Sequence, residues 1–310
     1  MGDAVSASKR SRKVGLARAL SKLGYCSRSR AFDLIRAGQV TVNGAVRRDP
    51  ETPVHVGADH IEVDAHRVAA QRKVYFILNK PRGIVTTAAD EKGRDTVYAF
   101  VPAGTPWLAP VGRLDKASEG LLLLTNDSEW AARILEPETH LDKTYHVQIA
   151  ARVAASTAPT ALDGTPVEAQ LMDRLVRGFE DRAGDFLSVK RVSVLRQGRR
   201  NAWLEIVLDS GKNRHIRRMF EHLGIEVLRL VRIAIGGVAL GELRKGSVRP
   251  LAPEEKQSLD RAMALALATA ITRTHSAKVE RNNARSSGIL SRQRESAVCR
   301  LGETLKRETT

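Results

Sequence analysis

A chain of 310 residues, 42% hydrophobic and 28% charged, is long enough for two domains with buried cores. No stretch approaches the ~20 apolar residues that a membrane-spanning helix needs, so a membrane-spanning helix is ruled out. Against 35 Asp and Glu stand 51 Lys and Arg, and the net charge of +16 points to a polyanion, nucleic acid before an acidic membrane surface.

Residues 1–13 are small, polar and basic, and read as a disordered arm. Gly2 and Ser6 fit a short acylation pattern that is common by chance, and no apolar signal core follows. A cytoplasmic protein is expected. From Val14 the pattern tightens: Leu16, Ala19, Leu20 and Leu23 recur at helical spacing up to Gly24. Ser27 is placed to cap a second helix, Arg28 to Ala37, which buries Phe32, Leu34 and Ile35 and stops at Gly38. Val40 to Val42, the turn pair Asn43-Gly44 and Ala45-Val46 read as a hairpin, with a further strand over Ile61 to Val63. Residues 14–67 thus form a small α+β unit ringed by Arg28, Arg30, Arg36, Arg47 and Arg48.

After a linker over 68–73, strands are expected at Val74 to Leu78, Gly120 to Thr125, Thr144 to Ala150, Phe186 to Leu195, Ala202 to Leu208 and Leu228 to Ile235. Helices are expected at Glu129 to Leu135, Arg214 to Leu223 and about Glu254 to Ile271. Many strands with few helices between them predict a mixed, largely antiparallel α+β domain over 74–255, followed by a terminal helix over 256–271. Residues 272–310 carry nine Lys or Arg against four Glu and read as a disordered basic tail.

Three segments have the residue types of a functional site. Gly112-Arg113-Leu114-Asp115-Lys116-Ala117-Ser118-Glu119-Gly120 is a charged loop bracketed by glycines and running into the apolar strand Leu121 to Leu124. A rigid strand behind such a loop can hold an active-site carboxylate in place. The plainer reading, which residue types alone favour, is a turn in which Asp115 caps the backbone and Arg113 pairs with Glu119. In Lys143 to Ile149, alternation puts Lys143, Tyr145, Val147 and Ile149 on one face and Thr144, His146 and Gln148 on the other. Tyr145 is then either a core aromatic or the wall of a pocket where a nucleobase stacks. In Ser210 to Phe220, a helix starting near Asn213 buries Ile216, Met219, Phe220 and Leu223 and gathers Lys212, Arg214, Arg217 and Arg218 at its start, an anion site. Lys190 to Pro250 holds 14 Lys and Arg against 5 Asp and Glu, which places the polyanion surface there.

Cys26 and Cys299 support neither a disulfide framework nor metal-ligand spacing, and the histidines, including His146 and His215, are too scattered for a zinc triad. Gly236-Gly237 and Gly241 lack the strand–loop–helix context of a nucleotide site.

Taken in order, Leu78-Asn79-Lys80-Pro81-Arg82-Gly83, Gly112 to Asp115, Leu121 to Asp127, Lys143-Thr144-Tyr145, Gly211 to Phe220 and Leu228 to Arg232 followed by Gly236 resemble the RsuA/RluB/RluE/RluF family of ribosomal RNA pseudouridine synthases. Residues 14–67 resemble its S4-type RNA-binding domain, with Ser27-Arg28 and Val40 to Gly44 at the signature positions. The likeness covers about 14–255 and departs at His215, where the family commonly has Gln or Glu.

The resemblance implies that a uridine in ribosomal RNA is isomerised to pseudouridine with no cofactor or metal. Asp115 would be the catalytic carboxylate, attacking the ribose or assisting loss of its C1′ proton. Tyr145 would stack on the base and help remove the C5 proton, and Arg217 would pair with Asp115. Lys80, Arg113 and Arg214 would contact phosphate or wall the pocket, with Lys143, Lys212 and Arg218 adding charge for RNA. Arg28, Arg30 and Arg36 would hold RNA from the S4-type domain. The target nucleotide would have to be flipped out of any duplex. The basic tail and motif spacing favour large-subunit (23S) RNA, and a monomer is expected. Alternatives are a 16S synthase and a non-catalytic ribosome-associated binding factor. A DNA-binding regulator would need a helix-turn-helix and a dimer surface, neither of which is visible.

Overall fold

The computed structural model describes residues 13–87, 93–150, 167–198 and 200–269; the arm before Lys13, the tail 272–310 and Cys299 lie outside the described residues. The amino-terminal unit comprises β1 (Val14–Gly15), α1 (Leu16–Lys22), α2 (Arg28–Arg36), β2 (Val40–Val42), β3 (Ala45–Val46), β4 (Pro53–Val54), β5 (Ile61–Val63) and β6 (His66–Arg67). α1 ends at Gly24, whose φ of +78° suits a residue without a Cβ. Ser27 caps α2 by accepting the Arg30 N–H at 3.0 Å. Leu34 and Ile35 are buried beneath α2, while Phe32 is only half-buried at the edge of the core. Asn43 and Gly44 both take positive φ, the geometry a two-residue hairpin requires. The hairpin lies in a four-stranded sheet ordered β3-β2-β5-β6, and Val40, Val42, Ile61 and Val63 face the helices.

The segment expected to be a linker is tied down at both ends. The Gln71 N–H donates to Leu23 O at 2.9 Å, and Lys73 Nζ to Lys22 O at 2.9 Å. The buried Asn126 side chain donates to Arg72 O and accepts from the Val74 N–H, both at 2.9 Å.

The larger unit is built from β7 (Tyr75–Lys80), β8 (Ala109–Pro110), β9 (Glu119–Thr125), α3 (Ser128–Leu135), β10 (Lys143–Ala150), α4 (Val167–Arg177), β11 (Phe179–Glu180), β12 (Phe186–Leu187), β13 (Arg191–Gln197), β14 (Asn201–Leu208), α5 (His215–His222), β15 (Val227–Ile235), β16 (Val238–Ala239) and β17 (Val248–Pro250). A last helix, α6, covers 253–269. The sheet runs β13-β14-β10-β15-β9-β7-β17, with β16 on β15 and β8 on β9. Its pairs are antiparallel except β9 with β15, so the chain is α+β with a mixed, mostly antiparallel sheet. At that parallel pair Gly120 has φ +103°, and a Cβ there would collide with the Arg232 carbonyl. No helix among the described residues is long and apolar enough to cross a membrane.

Several elements differ from expectation. The strand expected over Phe186 to Leu195 is two strands: β12 pairs with β11, and the chain then crosses so that the Lys190 N–H reaches Val207 O on β14. The sequence reading places no helix at α4, whose apolar stripe is thin, with Leu171 and Leu175 one turn apart on the core. β17 is also unexpected; it ends on Pro250 at the edge of the sheet, where a missing N–H is tolerated. Arg214 is not the first helical residue but the left-handed cap of α5, with φ +50°. Arg113 does not pair with Glu119: that buried carboxylate takes Arg229 at 3.1 Å and Lys245 at 2.5 Å.

Candidate active site

The Gly112–Ser118 loop is held from below by two neighbouring strands. Leu121 to Leu124 of β9 are buried completely or nearly so, which fixes the loop's exit. Lys80, at the end of β7, sits opposite Gly120, and its ammonium donates to Ser118 O at 2.8 Å, Pro81 O at 3.1 Å and Asp115 O at 3.2 Å. Burial pushes the Lys80 ammonium down to about 8, against the opposing pull of Asp115 and Glu119. The Gly83 N–H donates to Lys116 O and the Thr86 hydroxyl to Leu114 O, each at 2.8 Å. With its carbonyls taken up in this way, the loop presents the Asp115 side chain toward solvent-accessible space.

Asp115 is half-buried, and its carboxylate has no hydrogen-bond partner among the described residues. It lies near enough to Lys80 and Arg217 to raise the proton affinity of both. Arg217 comes from the first turn of α5 and donates to Ala117 O at 2.9 Å, gripping the loop two residues beyond Asp115. Its first turn is oriented by Ile216, Met219 and Phe220, which are buried, while Leu223 is half-buried.

Across from the loop, β10 contributes Lys143 and Tyr145. Val147 and Ile149 on the same face are buried, and Tyr145 packs where two apolar clusters meet. The other face carries His146, 3.8 Å from Glu205, and the neighbouring Trp203, away from the loop. The alternation read from the sequence therefore sorts the strand as expected.

These elements enclose an open cleft of about 340 Å³, lined among others by Arg113, Asp115, Ser118, Lys143, Tyr145, Lys212, Arg214, His215, Leu230 and Arg232. Five of those lining side chains are Lys or Arg and one is a carboxylate. Such a wall attracts a polyanion and sets one carboxylate against it. Burial lowers the proton affinity of Lys143, and the nearby Arg232 adds to the effect. His215 is lowered by burial too, so its ring is neutral at ordinary pH. Among the described residues no group of three or more His, Cys, Asp or Glu is arranged to hold a metal ion.

Of the residues singled out in the sequence, Asp115, Tyr145, Arg113, Lys143, Lys212 and Arg214 line one cleft, with Arg217 bracing the loop. Two do not fit a direct RNA contact. Lys80 is fully buried with its ammonium on three carbonyls, and Arg218 donates to Asp181 and Asp185 at 2.6 Å each, pinning the β11–β12 hairpin. Lys212 is partly engaged as well, donating to Phe186 O at 2.8 Å. Arg28, Arg30 and Arg36 are exposed on the amino-terminal unit. Sequence reasoning passes over Ser118, Leu230 and Arg232 as site residues; the available signal was an arginine in the middle of an apolar strand.

Comparison with known proteins gives a consistent result. Residues 74–222 match the family model for RNA pseudouridylate synthase, and 14–60 match the S4 domain. Over 250 residues the chain is 35% identical to the ribosomal large subunit pseudouridine synthase B of Bacillus subtilis (strain 168), covering 80% of this chain and 96% of that one. It is 36% identical over 254 residues to an uncharacterized RNA pseudouridine synthase of Aquifex aeolicus (strain VF5), covering 82% and 96%. A crystal structure of a pseudouridylate synthase superposes with a TM-score of 0.52 at 27% identity, covering 79% of this chain and 99% of the other.

Proposed function

Because the chain belongs to the RNA pseudouridylate synthase family, as an RsuA-like member with an S4 domain, we propose that it isomerises one specific uridine of large-subunit (23S) ribosomal RNA. The observation that carries this is the placement of Asp115, the one carboxylate lining the cleft among the described residues, across from Tyr145 inside a wall of Lys and Arg. The large-subunit assignment rests on the similarity to the Bacillus subtilis synthase. The protein acts in the cytoplasm, as a monomer, on RNA gathered by its amino-terminal domain.

In this reading a uridine flips into the cleft, paying its unstacking cost through contacts to the cationic wall. Asp115 acts at the ribose, as nucleophile or as base toward C1′, while the N1–C1′ bond breaks. Only an ionised carboxylate can do either, and Arg217 braces the loop two residues beyond it through Ala117 O. The base turns against Tyr145, rejoins C1′ through C5, loses its C5 proton and takes up a proton at N1, so that product and substrate have the same atoms. Lys80 supports this indirectly by fixing the carbonyls of the loop, and Arg113 and Arg214 contact the backbone beside the flipped nucleotide.

The test is a map of pseudouridines in ribosomal RNA from cells lacking the gene, complemented with wild type or with Asp115→Asn. One position should be lost and restored only by wild type. An unchanged map would leave a non-catalytic RNA-binding factor instead.

A further inference from the structure

Buried polar groups without partners concentrate at this cleft. Among the described residues, the unpaired buried side-chain atoms include Ser118 Oγ, His215 Nε2, Arg217 Nε and Arg232 Nη2, all in the cleft wall or in the helix that braces it. Native proteins pair nearly all such groups, and an unpaired guanidinium N–H is costly. Arg232 is the most telling. It is 6% exposed, stands in the middle of β15, and is held by one bond only, from Nε to Leu121 O at 2.8 Å. That bond fixes the plane of the guanidinium and leaves Nη2 with no protein acceptor.

Its location restricts what the acceptor can be. Arg232 is the cross-strand neighbour of Tyr145, and on its other side pairs with Gly120, two residues beyond Ser118. Ser118 is 1% exposed and its hydroxyl is equally unpaired. Tyr145, Arg232 and Ser118 line the same cleft, so a base stacked on Tyr145 would lie beside both unpaired donors. Both groups are donors, and among the described residues no carboxylate forms an ion pair with Arg232.

We propose that Arg232 and Ser118 form a carbonyl subsite that grips one of the two exocyclic oxygens of the flipped uracil. The inference rests on the pseudouridine synthase reading above and assigns these residues to the base. When the N1–C1′ bond breaks, its electron pair stays with the base, and the negative charge spreads onto O2 and O4. A fixed buried cation beside one of those oxygens stabilises the detached uracil more than the bound uridine. It also keeps the base from leaving while it turns to offer C5.

The test uses the full chain and a ribosomal RNA fragment bearing the mapped uridine, or the same fragment with 2-thiouridine or 4-thiouridine there. Sulfur is a poorer acceptor, so wild type should slow by about 10-fold at the gripped position and little at the other. Arg232→Gln should slow turnover of the uridine RNA by about 100-fold, the usual size of losing one buried oxyanion donor. In that variant the thio effect at the gripped position should vanish. Ser118→Ala, which removes one oxygen, carries the same test if Arg232→Gln does not fold, as judged by thermal melting. Full activity of a folded Arg232→Gln, or thio effects that persist undiminished in the variants, would overturn the subsite. Wild type that forms no pseudouridine in the unmodified RNA would overturn the parent reading instead, and the two failures are told apart by that control.

Discussion

In the proposed function Asp115 and Tyr145 are the reacting groups and Lys80 is the support beneath them. Asp115→Asn removes the charge but keeps the shape, and no hydrogen bond of the fold depends on that carboxylate. Pseudouridine formation should fall below detection in a tritium-release assay, while RNA affinity stays within a few-fold. Tyr145→Phe keeps the packing between the two apolar clusters and should lower kcat with little change in RNA binding. Lys80 has a different signature, because its ammonium holds three carbonyls and its pKa is pushed down to about 8 by burial. Above that pH it loses a proton and one of those bonds, so activity should decline on an alkaline limb near pH 8. Stability moves the other way. The unfolded chain holds the Lys80 proton up to its ordinary value of 10.5, so between about 8 and 10.5 the unfolded state binds more protons, and this group's contribution to stability rises with pH. A pH–rate profile beside a pH–melting series separates the two effects.

The same division appears between elements. Loop and helix were legible because their signals are local: Ser27 before α2, Asn43-Gly44 in the hairpin, and the Ile216, Met219 and Phe220 stripe of α5. What could not be read was pairing between distant segments. Gly120 looks like an ordinary loop glycine in sequence, yet it is where β9 and β15 come too close for a Cβ. Gly120→Ala combines that collision with a positive φ and should cost upwards of about 1 kcal/mol in melting or denaturant titration. Arg218 looks like one more cation for RNA, and only the returning β11–β12 hairpin shows that Asp181 and Asp185 occupy it. Lys80, expected to contact phosphate or wall the pocket, is buried for the same kind of reason: nothing local says that β7 and β9 enclose it between them.

At the scale of the whole molecule, the proposed function has the exposed arginines of the amino-terminal unit and the cationic cleft hold the same RNA. Deleting residues 1–67 should weaken RNA affinity and flatten its dependence on salt, since fewer phosphates are neutralised. The chemical step on bound RNA should change less, which single-turnover kinetics at saturating enzyme would report. The segment 69–74 is bonded to Leu23, Lys22 and Asn126, so the two units meet through fixed hydrogen bonds at this junction rather than through a free tether.

From sequence alone came the α+β class, the small amino-terminal module, the order of the conserved-type motifs and the identity of Asp115 and Tyr145 as candidates. The class and the module depend on periodicity and turn chemistry within short segments, while the motif order and the weight given to Asp115 and Tyr145 came from the resemblance to the synthase family. The tertiary structure decided which charges remain available. Lys80, Arg218 and Glu119 are all charged residues in or beside those motifs, and folding buries or pairs each of them. Arg232, hidden in an apolar strand, lines the cleft and keeps a buried donor without a partner among the described residues. Charge is a property of the residue, but its availability depends on burial and on partners that arrive from elsewhere in the chain.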